Sequence, residues 1–279
     1  MTRGYLTLAQ NGKYDYVRMA YILAISLKIS QGIDTNLSII VNKNDIVPEE
    51  YCEVFDKIIK VDSPDTEWKV QNKWIYYDVS PYDETIVVDA DMLFLTDQSW
   101  WWDLFSLNDL SFTDRVLNFR GEEVTSDYYR KVFTENSLPN HYTGLFFFRK
   151  CKNVENYFKL VKIIFENWEE WYNYLLKNPP KYVSGDVVYA IASKIMFKNT
   201  LEVSSPFLEF VHMRNKLQDA GLSGDWTKNL RCDLTEINGD VSLKINNIIQ
   251  SDPFHYIEKS FLTDEVVKFY EEKMLCLLR

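Results

Sequence analysis

The segment that decides the fold reads Ile86-Val87-Val88-Asp89-Ala90-Asp91-Met92-Leu93-Phe94-Leu95. Its first three residues are apolar and β-branched, which is typical of a strand buried in a parallel sheet. Side chains two residues apart on a strand point to the same side, so we expect Asp89 and Asp91 to lie side by side where the strand ends. Two close carboxylates repel each other, and a divalent cation relieves that repulsion. The segment therefore predicts an Mg²⁺ or Mn²⁺ site at the carboxyl edge of a sheet, where the cation could also bind a diphosphate.

Strand and helix patterns alternate around this segment. Strands are predicted at residues 4–10, 37–41, 58–61, 86–88, 110–113, 145–148 and 207–212, and helices at 14–30, 68–79, 154–176, 186–195 and 264–277. This alternation indicates an α/β protein with a mainly parallel sheet, interrupted by a polar loop at residues 114–140. Because the pattern weakens beyond residue 217, we predict one domain over residues 1–217, with residues 218–279 as a C-terminal extension packed on it.

Composition and charge limit the partners of the chain. Its 279 residues include 31 basic and 41 acidic ones, and the net charge of −10 disfavours binding to nucleic acid or anionic lipid. No apolar run reaches the roughly 18 residues of a membrane span, and no signal peptide is recognisable. The four cysteines are scattered rather than paired, at positions Cys52, Cys151, Cys232 and Cys276. They indicate a reducing compartment, so the predicted location is the cytoplasm, and the oligomeric state stays open.

Four short motifs follow one another along the chain. They are Lys73-Trp74-Ile75-Tyr76-Tyr77 leading to the Asp89-Ala90-Asp91 strand, Tyr142-Thr143-Gly144 with an apolar strand, Gly185-Asp186-Val187, and Val211-His212-Met213-Arg214-Asn215-Lys216. In this order they resemble the GT-A glycosyltransferases. The resemblance is closest to family 8, the retaining family that includes glycogenin and the bacterial lipopolysaccharide galactosyltransferases, and it covers about residues 4–217.

This resemblance implies a GT-A nucleotide-diphospho-sugar transferase fold, with a mainly parallel, twisted sheet and helices on both faces. The implied activity is metal-dependent transfer of a sugar from a nucleotide-sugar donor, usually a UDP-sugar in this family, with retention of the anomeric configuration. Asp89, Asp91 and His212 would bind Mn²⁺ or Mg²⁺. Asp186 would contact the transferred sugar, and Lys216 would hold the leaving diphosphate. The residues implied to bind the nucleotide-sugar are Leu8, Ala9, Gln10, Asn11, Tyr14, Lys73, Asp89, Ala90, Tyr142, Thr143 and Gly144.

A second histidine competes with His212 for the place of the third metal ligand. His255 also has a lysine a few residues further on, at Lys259. His212 follows Asp186 at a distance typical of the family, and we therefore favour His212 over His255.

The chain departs from the family pattern at several positions near the predicted sugar site. Tyr142 stands where the family has Asn, Val187 where it has Gln, and Leu217 where it has Pro. These changes concern the donor sugar more than the metal site, so the identity of the donor sugar stays open. The acceptor is open as well, and a protein tyrosine, a glycan, a lipopolysaccharide, a small molecule and a nucleobase are all compatible with the sequence.

Other enzyme classes lack their motifs in this sequence. A nucleotidyltransferase needs a glycine-rich loop after the first strand, whereas residues 4–14 contain only Gly4 and Gly12. The dinucleotide-binding pattern G-x-G-x-x-G, the P-loop pattern and the G-x-S-x-G elbow of hydrolases are all absent. The alternative that stays open is a non-catalytic module that binds a nucleotide or a carbohydrate on the same fold.

Overall fold

The computed structural model describes residues 1–62, 69–124, 130–205, 207–214, 224–237 and 239–278. Its strands, numbered in chain order, are β1 (Arg3–Leu8), β2 (Leu37–Asn42), β3 (Lys57–Val61), β4 (Glu84–Val88), β5 (Met92–Leu93), β6 (Leu110–Thr113), β7 (Tyr142–Arg149), β8 (Ser204–Ser205), β9 (Val211–His212), β10 (Cys232–Ile237), β11 (Asp240–Ile245), β12 (Ile248–Gln250) and β13 (Phe254–His255). Its α-helices are α1 (Tyr16–Gln31), α2 (Glu49–Cys52), α3 (Tyr76–Val79), α4 (Trp101–Phe105), α5 (Lys131–Asn136), α6 (Lys152–Glu166), α7 (Trp168–Leu175), α8 (Gly185–Met196) and α9 (Asp264–Leu277).

The central sheet has the order β3-β2-β1-β4-β7-β6-β8 among the described residues. Strand β7 runs antiparallel to both of its neighbours, and the other six strands of this sheet share one direction. The sheet is therefore mainly parallel, as predicted. Side chains of β4 alternate between its two faces. Ile86 and Val88 enter one hydrophobic cluster and Val87 enters the other, and all three are fully buried.

Helices cover both faces of the central sheet. Helix α1 packs in the same cluster as Ile86 and is buried along most of its length, whereas α6 and α8 pack in the cluster of Val87. The residue before α1, Asp15, fixes where the helix begins. Asp15 caps the helix by accepting a hydrogen bond from the backbone N–H of Arg18 at 3.0 Å.

A second, small sheet joins the C-terminal part of the chain to the segment that follows β4. Its order is β5-β13-β9, so the two-residue strand Phe254–His255 lies between a strand that follows β4 and the strand Val211–His212. Helix α9 packs against α1, where Tyr21 donates a hydrogen bond to Glu271 at 3.2 Å and Arg18 pairs with Asp264. The domain boundary at residue 217 stays a prediction.

Several predicted elements differ from the observed ones. The helix predicted at 154–176 is two helices, α6 and α7, because the Asn167 side chain donates to the Ile163 carbonyl at 3.0 Å and so competes with the helical backbone bonds. The segment predicted as a helix at 68–79 is a 3₁₀ helix, Lys69–Ile75, followed by the short α3. The loop predicted at 114–140 contains α5.

A strand was predicted at residues 207–212. Within this described range, only Val211–His212 form a strand. The antiparallel sheet of β10, β11 and β12 was not predicted, because most residues of β10 and β12 are exposed and give only a weak apolar pattern. Among the helices that the structure describes, none is long and apolar enough to cross a membrane.

Candidate active site

A cleft of about 680 Å³ opens where the parallel strands β1 and β4 end. Leu8 ends β1, Asp89 follows β4, and both line the cleft. The rest of the lining comes from Gln10 and Tyr16, from Val70 and Lys73, from residues 130–144, from the chain that enters α8, and from the segments at and after β9 and β13. The carboxyl edge of an open α/β sheet is the usual place for ligands to bind.

Three side chains of metal-ligand type come together in this cleft. A carboxylate oxygen of Asp89, one of Asp91 and a ring nitrogen of His255 all lie within 4.8 Å of one another. Asp91 is 7% exposed and His255 is 6% exposed, whereas Asp89 is partly exposed. Two carboxylates this close and this buried are costly unless positive charge compensates them. No other group of three such residues with this spacing occurs in the ranges that the structure describes.

The small sheet brings His255 to the two carboxylates. His255 pairs with Met92 of β5 on one side and with His212 of β9 on the other. The backbone N–H of Tyr256 donates to the Asp91 carbonyl at 3.2 Å, which fixes the strand directly against the acidic segment. As a result, His255 Nε2 lies 3.1 Å from Asp91 Oδ1.

Gly144 keeps a space open beside this group. A Cβ atom at Gly144 would lie 3.1 Å from Asp89 Oδ2 and 3.6 Å from His255 Nδ1. That Nδ1 atom is buried and has no hydrogen-bond partner among the described residues. The backbone fixes Gly144 in place, because its carbonyl accepts from the Asp89 N–H at 2.9 Å. Two carboxylates and an imidazole with an unpartnered, buried nitrogen beside an open space form a donor set that fits a divalent cation.

Each of the two carboxylates is also paired with a lysine. Lys73 Nζ lies 2.8 Å from Asp89 Oδ1, and Lys259 Nζ forms an ion pair with Asp91 Oδ2. Burial by itself lowers the pKa of both lysines, but the carboxylates that face them raise the pKa by more, so it lies above its usual value. Burial raises the pKa of Asp91, but His255 and Lys259 together hold it well below its usual range. Asp91 and both lysines are therefore charged near neutral pH.

A tight turn lets His255 and Lys259 reach the same carboxylate. The N–H of Glu258 donates to the Tyr256 carbonyl at 2.5 Å, which closes a three-residue turn around Ile257. Ile257 has a φ of 58°, a left-handed conformation that is unfavourable for a β-branched residue. Backbone strain of this kind is concentrated at functional sites.

Asp186 forms a second polar centre in the cleft. It lies in the first turn of α8, where Asp186 Oδ1 accepts from the Thr143 N–H at 2.9 Å and from the Thr143 hydroxyl at 2.7 Å. Asp186 Oδ2 accepts from Arg130 Nη1 at 2.6 Å. Burial raises the pKa of Asp186, but Arg130 and the hydrogen bonds from Thr143 lower it by more, so the net pKa lies below its usual value. The carboxylate is therefore ionised near neutral pH.

His212 lies behind His255 rather than within the group of ligands. The two rings are stacked, with centroids 4.9 Å apart and planes 21° apart. Burial, and then the charges of His255 and Arg214, lower the pKa of His212 well below its usual value, so its ring is neutral. The histidine that lies close to Asp89 and Asp91 is therefore His255, the alternative candidate for the third metal ligand. The preference for His212 did not take into account that β13 lies between β5 and β9.

Comparison with solved structures identifies the fold. Mouse xyloside xylosyltransferase 1 in its apo form is similar over 91% of this chain and 97% of its own, with a TM-score of 0.53 and 11% identity. The apo form of the glycosyltransferase GlyE from Streptococcus pneumoniae TIGR4 is similar over 99% of this chain, with a TM-score of 0.50 and 15% identity. This chain covers 61% of the GlyE chain. No family model and no curated protein matches the sequence.

The chain has the GT-A fold. The fold prediction is therefore confirmed, and the cleft described above lies at the carboxyl edge of its sheet. The residues predicted for this cleft that do line it are Leu8, Gln10, Lys73, Asp89, Ala90, Asp91, Tyr142, Thr143, Gly144, Asp186, His212 and His255.

Three other predicted residues, Ala9, Asn11 and Tyr14, lie elsewhere. Ala9 is fully buried in the hydrophobic core. Asn11 accepts a hydrogen bond from the Val17 N–H at 3.0 Å and so helps to start α1. Tyr14 is 41% exposed and packs against Lys13. Lys216 lies outside the described residues.

Tyr16, Arg130 and Lys259 are among the cleft residues that were not predicted. Tyr16, the first residue of α1, lines the cleft with its ring 5.3 Å from Lys259 Nζ. Arg130 lies in a segment with no recognisable pattern, so no sequence signal pointed to it. Lys259 was noticed only as a neighbour of His255, and that spacing was the signal that could have identified it.

Proposed function

We propose that the chain is a metal-dependent glycosyltransferase that transfers a sugar from a nucleotide-diphosphate sugar, with a UDP-sugar as the donor. The observation that carries this proposal is the meeting of Asp89, Asp91 and His255 within 4.8 Å in a cleft of the GT-A fold. The same cleft contains Lys259 and the ionised Asp186.

The proposed metal ligands are Asp89, Asp91 and His255. Mn²⁺ fits this set better than Mg²⁺, because Mg²⁺ prefers oxygen ligands and a strictly octahedral shell. A cation bound here would neutralise the negative charge that develops on the leaving diphosphate. His212, stacked on the back of His255, would limit the movement of that ring.

The two lysines are proposed to hold the diphosphate. In the structure Lys73 and Lys259 neutralise Asp89 and Asp91. A divalent cation between the carboxylates would take over that role, and both ammonium groups could then donate to phosphate oxygens. The cation and a diphosphate diester carry opposite charges of equal size, so the balance of charge in the cleft is preserved. Lys259 thus replaces Lys216 as the proposed diphosphate lysine.

The remaining lining is divided between the nucleotide and the sugar. Tyr16, next to Lys259, is proposed to take the place in the nucleotide site that the resemblance to family 8 implied for Tyr14, and Gln10 lies near the end of β1 in the same lining. Asp186 is proposed to accept a hydrogen bond from the donor sugar. Retention of configuration rests on the resemblance to family 8, and proton NMR of the product would detect inversion instead.

A screen of nucleotide-sugars for Mn²⁺-dependent hydrolysis and transfer tests the proposed function. We expect turnover of at least one UDP-sugar with Mn²⁺ and none after chelation. A non-catalytic module would bind the nucleotide-sugar and leave it intact, which calorimetry together with chromatography of the mixture would reveal. That outcome would reject the proposal in favour of the binding module.

A further inference from the structure

Arg130 is enclosed at the edge of the cleft to an unusual degree. It is 5% exposed, and its guanidinium carbon lies 3.6 Å from the centre of the Phe133 ring and 4.0 Å from that of Tyr142. Its Nε donates to Asn140 Oδ1 at 2.7 Å, and its Nη2 donates to the His141 carbonyl. Contacts with two aromatic faces and fixed acceptors leave the side chain one arrangement.

The guanidinium of Arg130 also contacts Asp186, the carboxylate proposed to bind the donor sugar. Arg130 Nη1 donates to Asp186 Oδ2 at 2.6 Å, while Thr143 occupies Asp186 Oδ1 with two hydrogen bonds. A carboxylate has about four acceptor positions, two on each oxygen. The described residues therefore fill both positions on Oδ1 and one on Oδ2, and leave one position of Oδ2 for a ligand.

We propose that Arg130 is a positioning residue for sugar transfer, which holds the Asp186 carboxylate in an orientation where it accepts a single hydroxyl hydrogen bond from the donor sugar. This inference rests on the proposed function. It also explains a departure of the chain from the family pattern. Tyr142 stands in place of Asn, and its ring is one of the two faces that hold the Arg130 guanidinium.

The competing explanation is that Arg130 only ties the segment before β7 together. Its bonds to Asn140 and to the His141 carbonyl would serve that purpose alone. Asn140 offers a matched control, because it also donates to the Asp114 carbonyl at 2.8 Å and has no hydrogen bond to Asp186. Asn140→Ala therefore removes two bonds that tie the segment, while the pair of Arg130 and Asp186 is kept.

The experiment compares Arg130→Ala with Asn140→Ala in the full chain, with Mn²⁺ and the UDP-sugar that the wild type hydrolyses. Donor kcat/KM, Mn²⁺ affinity and the midpoint of thermal unfolding are measured for each. We expect Arg130→Ala to lose roughly 10- to 100-fold in kcat/KM, the range for a hydrogen bond to a charged group, with unchanged Mn²⁺ affinity. Asn140→Ala should lose clearly less kcat/KM than Arg130→Ala, because the guanidinium keeps its bonds to Asp186 and to the His141 carbonyl.

Chemical rescue separates positioning from a merely structural role. Millimolar guanidinium ion added to Arg130→Ala should enter the space between the two rings and restore part of the lost kcat/KM. The same concentrations should not restore Asp186→Ala, which lacks the carboxylate. Equal losses in Arg130→Ala and Asn140→Ala, or no rescue of a folded Arg130→Ala, would overturn the inference. An inactive wild type that binds nucleotide-sugar would instead reject the proposed function, and the positioning role with it.

Discussion

His255 Nε2 lies 3.1 Å from Asp91 Oδ1, although Asp91 follows β4 and His255 belongs to β13 near the other end of the chain. Residues that are distant in sequence meet here because β13 pairs antiparallel with β5, directly after the acidic segment. The contact favours His255 over His212 as the third ligand of the proposed metal site. Through this contact the C-terminal part of the chain lines the cleft beside Asp91.

Substitution of the two histidines should have unequal effects on metal binding. We expect His255→Ala to lose roughly 100-fold or more in Mn²⁺ affinity, because even outer partners of a ligand are worth about 10- to 100-fold. His212→Ala removes a ring that is stacked on His255 and lies outside the group of proposed ligands, so it should lose less. Titration of Mn²⁺ followed by electron paramagnetic resonance measures both variants. A larger loss in His212→Ala would return the ligand role to His212.

Gly144→Ala should weaken metal binding without unfolding the protein. The new Cβ would lie 3.1 Å from Asp89 Oδ2, closer than ordinary van der Waals contact, and would displace that carboxylate. We expect roughly a tenfold loss of Mn²⁺ affinity, equivalent to about 1.4 kcal/mol. Gly185→Ala is the matched control, because its Cβ would crowd Thr143 and Lys73 instead. The control should impair donor binding and keep the Mn²⁺ affinity. Equal Mn²⁺ affinities in the two variants would contradict the claim that the cation occupies the space beside Gly144 and Asp89.

Lys259→Met should weaken binding of the leaving diphosphate. In the structure its ammonium pairs with Asp91, and its removal takes away a positive charge from the cleft. We expect UDP to bind roughly tenfold or more weakly in the presence of Mn²⁺, the range for a lost charged hydrogen bond. Calorimetry of Lys259→Met and Lys216→Met distinguishes the two assignments. A larger effect at Lys216 would support the original prediction.

The stability of the protein should fall on acidification partly because of His141. Burial, and then the charge of Arg130, lower the pKa of His141 to about 3. Below about pH 6.5 the unfolded chain binds a proton at this histidine, whereas the folded chain does not. The neutral His141 therefore contributes fully to the free energy of unfolding at higher pH, and this contribution is lost as the pH falls. From about pH 7 to about pH 5 the loss is roughly 2 kcal/mol.

His141→Phe should reduce this dependence on pH, because phenylalanine keeps the stacking on Phe112 but does not titrate. Urea unfolding at both pH values measures the difference. The buried His212 has a pKa lowered in the same direction and should leave part of the dependence in place. An unchanged loss of stability in a folded His141→Phe would show that His141 is protonated in the native state.

The sequence was most informative where pattern and local chemistry agree. The Asp89-Ala90-Asp91 segment follows a strand whose last four residues are buried, and two carboxylates at that point predict a site for a cation. The strand Leu110–Thr113 and the helix Asp264–Leu277 were also predicted with their observed bounds. In these elements the local spacing of apolar residues is enough to predict the structure, without knowledge of distant contacts.

The partners of the acidic segment depend on pairing between distant strands, which a single sequence does not reveal. His212 and His255 each end a strand of only two residues, and nothing local shows that β13 lies between β5 and β9. Tyr16 was missed for a different reason. Residue 14 was taken as the start of α1, whereas the Asp15 cap delays the start to Tyr16.

The most direct test of the central claim is the turnover of a UDP-sugar before and after chelation of the metal. Wild type should lose turnover in EDTA and regain it when Mn²⁺ is added back. Asp91→Asn, which keeps the size of the side chain but removes its charge, should fold normally and stay inactive at any Mn²⁺ concentration that restores the wild type. Turnover that persists in EDTA, or wild-type rates in Asp91→Asn, would contradict the metal-dependent mechanism.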